Sequence, residues 1–111
     1  RGLGDVYKRQ IEQYGTRVRK VASRFIRSDE EPAMMEGDDV YALLLHWSAK
    51  EALFKLMGVE EVDFIRHLRI FPFSLSEEGE FEACEYRTGR QERYRVRYVT
   101  HPDFVLTWII K

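Results

Sequence analysis

The stretch His46-Trp-Ser-Ala-Lys-Glu-Ala-Leu-Phe-Lys55 decides how this chain folds. Residues three and four apart share one face of a helix. On that spacing Val40, Leu43, Leu44, Trp47 and Phe54 form an apolar face, with Glu51 between Trp47 and Phe54. The opposite side, made of Ala42, Leu45, Ala49, Ala52, Leu53 and Leu56, is apolar too. A helix that is hydrophobic nearly all round is expected to be buried. A carboxylate within it is costly unless a cation or a hydrogen-bond partner satisfies it. Lys55 lies one turn beyond Glu51, and Ser48 lies just before it. One helix thus gathers an acid, a base and a hydroxyl. Asp38 or Asp39 is its expected N-cap, and Gly58 its expected end.

Upstream, Val18, Val21, Ala22, Phe25 and Ile26 predict an amphipathic helix over residues 16–27, with Thr16 as its cap. Residues 28–37 read as a turn-rich connector, and Ser28 and Glu31 have capping-box spacing. Downstream, strands are predicted over residues 68–73, 80–86, 93–99 and 104–110, with a turn at Thr88-Gly89. The third alternates strictly, placing Tyr94, Val96 and Tyr98 on one face and Arg93, Arg95 and Arg97 on the other. The last is apolar on both faces and reads as a covered strand. Two main helices packed on a small antiparallel sheet make an α+β domain.

At 111 residues the chain is one domain. Its apolar runs are too short for a membrane span, so no membrane partner is expected. The lone Cys84 excludes an internal disulfide and fits a reducing, cytoplasmic setting. His46, His67 and His101 lack zinc-like spacing, and His46 reads as a helix-side residue. A net charge of −1 gives no global attraction for nucleic acid, and none is expected as a partner. The arginine row at 93, 95 and 97 reads as a solvated sheet face. Locally, Arg17, Arg19, Lys20, Arg24 and Arg27 form a basic segment, followed by an acidic one.

The string Trp47-Ser48-x-Lys50-Glu51-Ala52-x-x-Lys55 resembles the signature W-[ST]-x-K-E-[AS]-x-x-K of the 4'-phosphopantetheinyl transferase superfamily, with every fixed position filled. The resemblance implies a half domain of that fold. It also implies transfer of the 4'-phosphopantetheine arm of coenzyme A to a serine of an acyl or peptidyl carrier protein. It makes Glu51 and Lys55 catalytic, and makes Glu12 and Glu51 ligands of Mg2+. Lys50, Lys55 and Ser48 become contacts for coenzyme A, although the family tolerates Thr in place of Ser48, which fits a packing role. The basic helix, through Arg17 and Arg24, becomes the docking surface for an acidic carrier.

A second family motif, G-[IV]-D-[IV]-E, lies upstream of the signature. Here only Ile11-Glu12 matches its end, and Gln10 stands where a metal-binding Asp is expected. Asp5 to Gln10 resembles the translation of a transposon end used in preparing DNA sequencing libraries, and residue 1 is not Met. Residues 1–10 are therefore set aside as an adapter artefact, and residues 11–111 are read as the transferase-like domain. An N-terminal half is expected to be missing, and this chain alone is expected to be inactive. The alternative is a non-catalytic carrier-protein or anion-binding domain, for which the absent Asp is the strongest feature.

Overall fold

The computed structural model describes residues 6–30 and 39–110, with side chains from residue 9 onward. Strand β1 (Val6–Gln13) comes first, then helix α1 (Val18–Val21) and a 3-10 turn (Ala22–Arg24). The long helix α2 (Val40–Met57) follows, and then β2 (Leu68–Ile70), β3 (Glu78–Glu85), β4 (Arg93–His101) and β5 (Phe104–Ile110). The strands form one antiparallel sheet in the order β1-β5-β4-β3-β2, so the chain is α+β as expected.

Helix α2 lies across one face of the sheet, mainly over β5 and β1. Its Leu45, Ala49, Ala52 and Leu53 are fully buried, as are Val96, Val105 and Ile109 of the sheet beneath. Gly58 ends α2 as expected, with a left-handed φ of 63° and its N–H bonded to the Phe54 carbonyl. The last turn emerges from the core, leaving Phe54 39% exposed rather than covered. Asp39 holds the N-cap position without a side-chain cap bond, because its carboxylate takes Arg19 at 2.7 Å. Asp38 and Glu31 lie outside the described residues, and with them the capping box.

Several expectations change. The first element is a strand, not a helix. Strand β1 pairs with β5 through Val6, Tyr7 and Gln10 to Gln13, with a register shift between Tyr7 and Gln10. No strand is expected there because residues 1–10 are set aside as an adapter translation, and the polar inward residues Gln10 and Glu12 add no hydrophobic alternation. The helix over 16–27 shrinks to α1 and the 3-10 turn. Its N-cap position falls on Arg17, not Thr16, and no side chain caps it. The tightening drives Phe25 fully inside, against the Trp47 ring at 5.3 Å between centroids. Strand β2 stops at Ile70, two residues before Pro72, which has no N–H for a ladder. Strand β5 has the predicted bounds, but only the Val105, Thr107 and Ile109 face is buried; Phe104, Leu106, Trp108 and Ile110 on the other face are half-buried, so the strand is covered on one face rather than two. The arginine row is a solvated face, with Arg93 on Glu82 at 2.8 Å and Arg95 on Glu80 at 3.2 Å. Among the described residues no helix is long and apolar enough to cross a membrane.

Lys50 points into the core rather than to a ligand. Its ammonium is fully buried and donates to the Phe25 carbonyl (2.6 Å), Glu30 Oε1 (3.0 Å) and the Phe64 carbonyl (3.1 Å). Glu30 is buried with it and also accepts the backbone N–H groups of Arg27 and Ile70. Burial pulls the Lys50 amine below its ordinary value, and Glu30 opposes that shift. Lys50→Met leaves the Glu30 carboxylate buried without its cation and is expected to cost about 3–5 kcal/mol. Urea unfolding of Lys50→Met, Glu30→Gln and the double variant checks this. The double variant should be more stable than the sum of the single losses implies, because no buried charge is left uncompensated.

Candidate functional site

The site lies where β1 meets the C-terminal half of α2. Residues two apart on a strand share a face. Gln10 and Glu12 therefore point together toward α2, while Ile11 between them points away and is 59% exposed. Glu51 and Lys55 are one helical turn apart and complete the group. The Gln10 side chain links them all. Its Nε2 donates to Glu51 Oε1 at 3.1 Å and to Glu12 Oε2 at 3.4 Å, and its Oε1 accepts from Lys55 Nζ at 3.0 Å. The opposite amide orientation would turn an oxygen toward two carboxylates and an NH2 toward an ammonium, so the chemistry fixes this one.

Glu12 and Glu51 are both half-buried. Partial removal from water pushes the Glu51 carboxyl up from 4.5 to about 7. The Glu12 carboxylate adds to the rise through a hydrogen bond and its charge, whereas Lys55 and the Gln10 amide oppose it. The cluster therefore holds a group able to exchange a proton near neutral pH.

The other signature residues part company. Ser48 is fully buried. Its Oγ is 2.6 Å from Thr107 Oγ1 and donates to the Gln10 carbonyl at 3.3 Å. It spaces α2 from β5 and β1, so its assignment as a coenzyme A contact gives way to packing. Lys50, enclosed as described, gives way likewise. Trp47 is half-buried between Phe25 and Phe64, at 5.3 and 5.5 Å between ring centroids. Beside Glu12 opens a cleft of about 260 Å³, lined chiefly by Val18, Val21, Leu44 and Trp47, with Arg17 at its side. In the basic segment Arg19 is bound to Asp39. Arg27 is bound to Asp29 and to the Ile65 and Arg66 carbonyls. Arg17, Lys20 and Arg24 stay exposed.

Two participants escaped the sequence reading. Gln10 enters the sequence analysis only as the place of an expected Asp within residues set aside as an adapter translation, and the strand that puts it on the Glu12 face is seen only in the structure. Glu30 is one acid of the turn-rich acidic connector, and nothing local marks it as the partner of a lysine 20 residues on. Among the described residues no group of three or more His, Cys, Asp or Glu side chains is arranged to hold a metal ion.

A family model described as the 4'-phosphopantetheinyl transferase superfamily matches residues 5–109. No curated protein and no solved structure matches the chain.

The raised Glu51 carboxyl carries a stability signature. Between 4.5 and about 7 the folded chain retains a proton that the unfolded chain has released. Stability is thus fully present below that window and falls as pH rises through about 7. Urea midpoints measured across the window are expected to decline for the parent chain and to lose most of that slope in Glu51→Gln.

Proposed function

Because the chain belongs to the 4'-phosphopantetheinyl transferase superfamily, we propose that it serves transfer of the 4'-phosphopantetheine arm of coenzyme A to a serine of an acyl or peptidyl carrier protein. The observation that carries this reading is the meeting of the two motifs. Glu51 and Lys55 of the signature lie within hydrogen-bonding distance of the Gln10 side chain in β1, and Glu12 shares its face.

In the proposed reaction the carrier serine Oγ forms a bond to the phosphorus bearing the pantetheine arm. The phosphorus–oxygen bond to the other phosphate breaks, and adenosine 3',5'-bisphosphate leaves. Glu51 accepts the serine proton, a task suited to a carboxyl near 7. The Lys55 ammonium holds the charge that gathers on the phosphate oxygens. The free thiol of Cys84 is buried, in keeping with a reducing cytoplasm as the proposed setting.

The family implies a magnesium ion, which binds through one or two carboxylates plus substrate phosphates and supplies positive charge to the diphosphate. Glu12 and Glu51 provide the carboxylates, but both Gln10 amide hydrogens point into the space between them. The donor set of this chain does not fit the ion. For the same reason the chain alone is proposed to be inactive. A non-catalytic carrier-protein or anion-binding domain is the second reading, and the Gln10 amide favours it.

The exposed Arg17, Lys20 and Arg24 are proposed to meet the acidic carrier beside the cleft. Rim charges mainly set association rate and salt dependence.

The test uses the chain carrying Gln10→Asp. Mass spectrometry of an apo carrier incubated with coenzyme A and magnesium is expected to show addition of the arm. Glu51→Gln should abolish it without unfolding the protein. Absence of addition on fatty-acid, polyketide and peptide carriers alike would leave the non-catalytic reading standing. In the active protein, Arg17→Glu with Arg24→Glu is expected to raise KM for the carrier and leave KM for coenzyme A unchanged. An unaltered carrier KM at low salt would remove the basic segment from the docking surface.

A further inference from the structure

We infer that in this chain the Gln10 amide takes the place of a divalent cation, so that Glu12, Glu51 and Lys55 form a closed, metal-free cluster that the single substitution Gln10→Asp converts into a cation site. A cation between two carboxylates does one electrostatic job, which is to offer positive charge to both. The Gln10 NH2 group does that job with two N–H bonds, at 3.1 Å to Glu51 and 3.4 Å to Glu12. Its oxygen faces away from that space and accepts from Lys55 at 3.0 Å. All the polar atoms of this side chain are thus used within the cluster. A cation entering between the carboxylates would meet amide hydrogens and stand near an ammonium.

A carboxylate at position 10 reverses each of these conditions. It removes the N–H donors and adds an oxygen donor, and it is one methylene shorter, which leaves room between the strand and the helix. It also places three carboxylates together on a half-buried surface. That arrangement is unfavourable without a cation and favourable with one.

The inference draws on the transferase reading only in expecting a cation at this place, and its test involves neither carrier nor coenzyme A. Failure of one therefore leaves the other standing. The 111-residue chain, Gln10→Asp and Gln10→Ala are compared by thermal melting in chelator and in millimolar magnesium, and by calorimetric titration with magnesium and manganese. The parent is expected to melt at the same temperature in both media. Gln10→Asp should melt below the parent in chelator, rise with magnesium, and bind either ion at least about tenfold more tightly than the parent. Gln10→Ala, which removes the amide and adds no oxygen, should show no magnesium response. If Gln10→Asp folds only with magnesium, that is the expected result in its extreme form. Saturable magnesium binding by the parent that matches Gln10→Asp would overturn the inference, and so would a Gln10→Asp chain that gains no affinity or does not fold in either medium.

Discussion

The ammonium of Lys50 is the constraint on which the rest of the structure depends. A buried cation without partners is too costly to keep, so the fold supplies acceptors from several directions. The Phe25 carbonyl comes from the segment after the 3-10 turn, the Phe64 carbonyl from the loop after α2, and the carboxylate from Glu30. Glu30 in turn accepts the Ile70 N–H in β2, which ties the far edge of the sheet to the same point. The short helical segment 18–24 is held by this arrangement more than by its own hydrogen bonds. A helix of four residues has little intrinsic stability.

The same lysine orients the site. Successive residues on a helix are about 100° apart. With Lys50 aimed into the core, Glu51 falls at the boundary between core and water, and Lys55, one turn on, lies outside it. The adjacent lysine and glutamate of the signature therefore do different work. One fixes the rotation of α2, and the other is presented by that rotation to β1. Ser48 sets the spacing through Thr107 and the Gln10 carbonyl, so the inward side of the signature positions what its outward side displays.

Strong local patterns were legible in the sequence. The extent of α2 and its end at Gly58 followed from periodicity and a glycine that accepts positive φ. The bounds of β5, and the inward and outward faces of β4, followed from apolar alternation. The unread parts depend on distant partners. Most of strand β1 lies in the residues set aside as an adapter translation, and its polar inner face, which is the site, offers no hydrophobic alternation to mark it. The basic segment was overextended as a helix because its apolar spacing is compatible with 3.6 residues per turn. Burial of Phe25, and capture of its carbonyl by Lys50, end the helix sooner. Lys50 and Ser48 were read as ligand contacts because a signature marks which residues matter and not which way they point.

An edge position for β1 is what makes two carboxylates tolerable there. In a central strand under α2, Glu12 and Glu51 would be dry, and each would need a full counter-charge. At the rim both remain half-exposed, and an amide and a lysine suffice. Pairing with β5 on one side only also leaves the cleft beside Glu12 open toward Arg17 and the basic segment. Placing Glu12 on the edge strand, against Glu51 of α2, thus does two things. It lowers the cost of keeping charge at the site, and it puts that charge beside Arg17, which stays exposed at the side of the cleft.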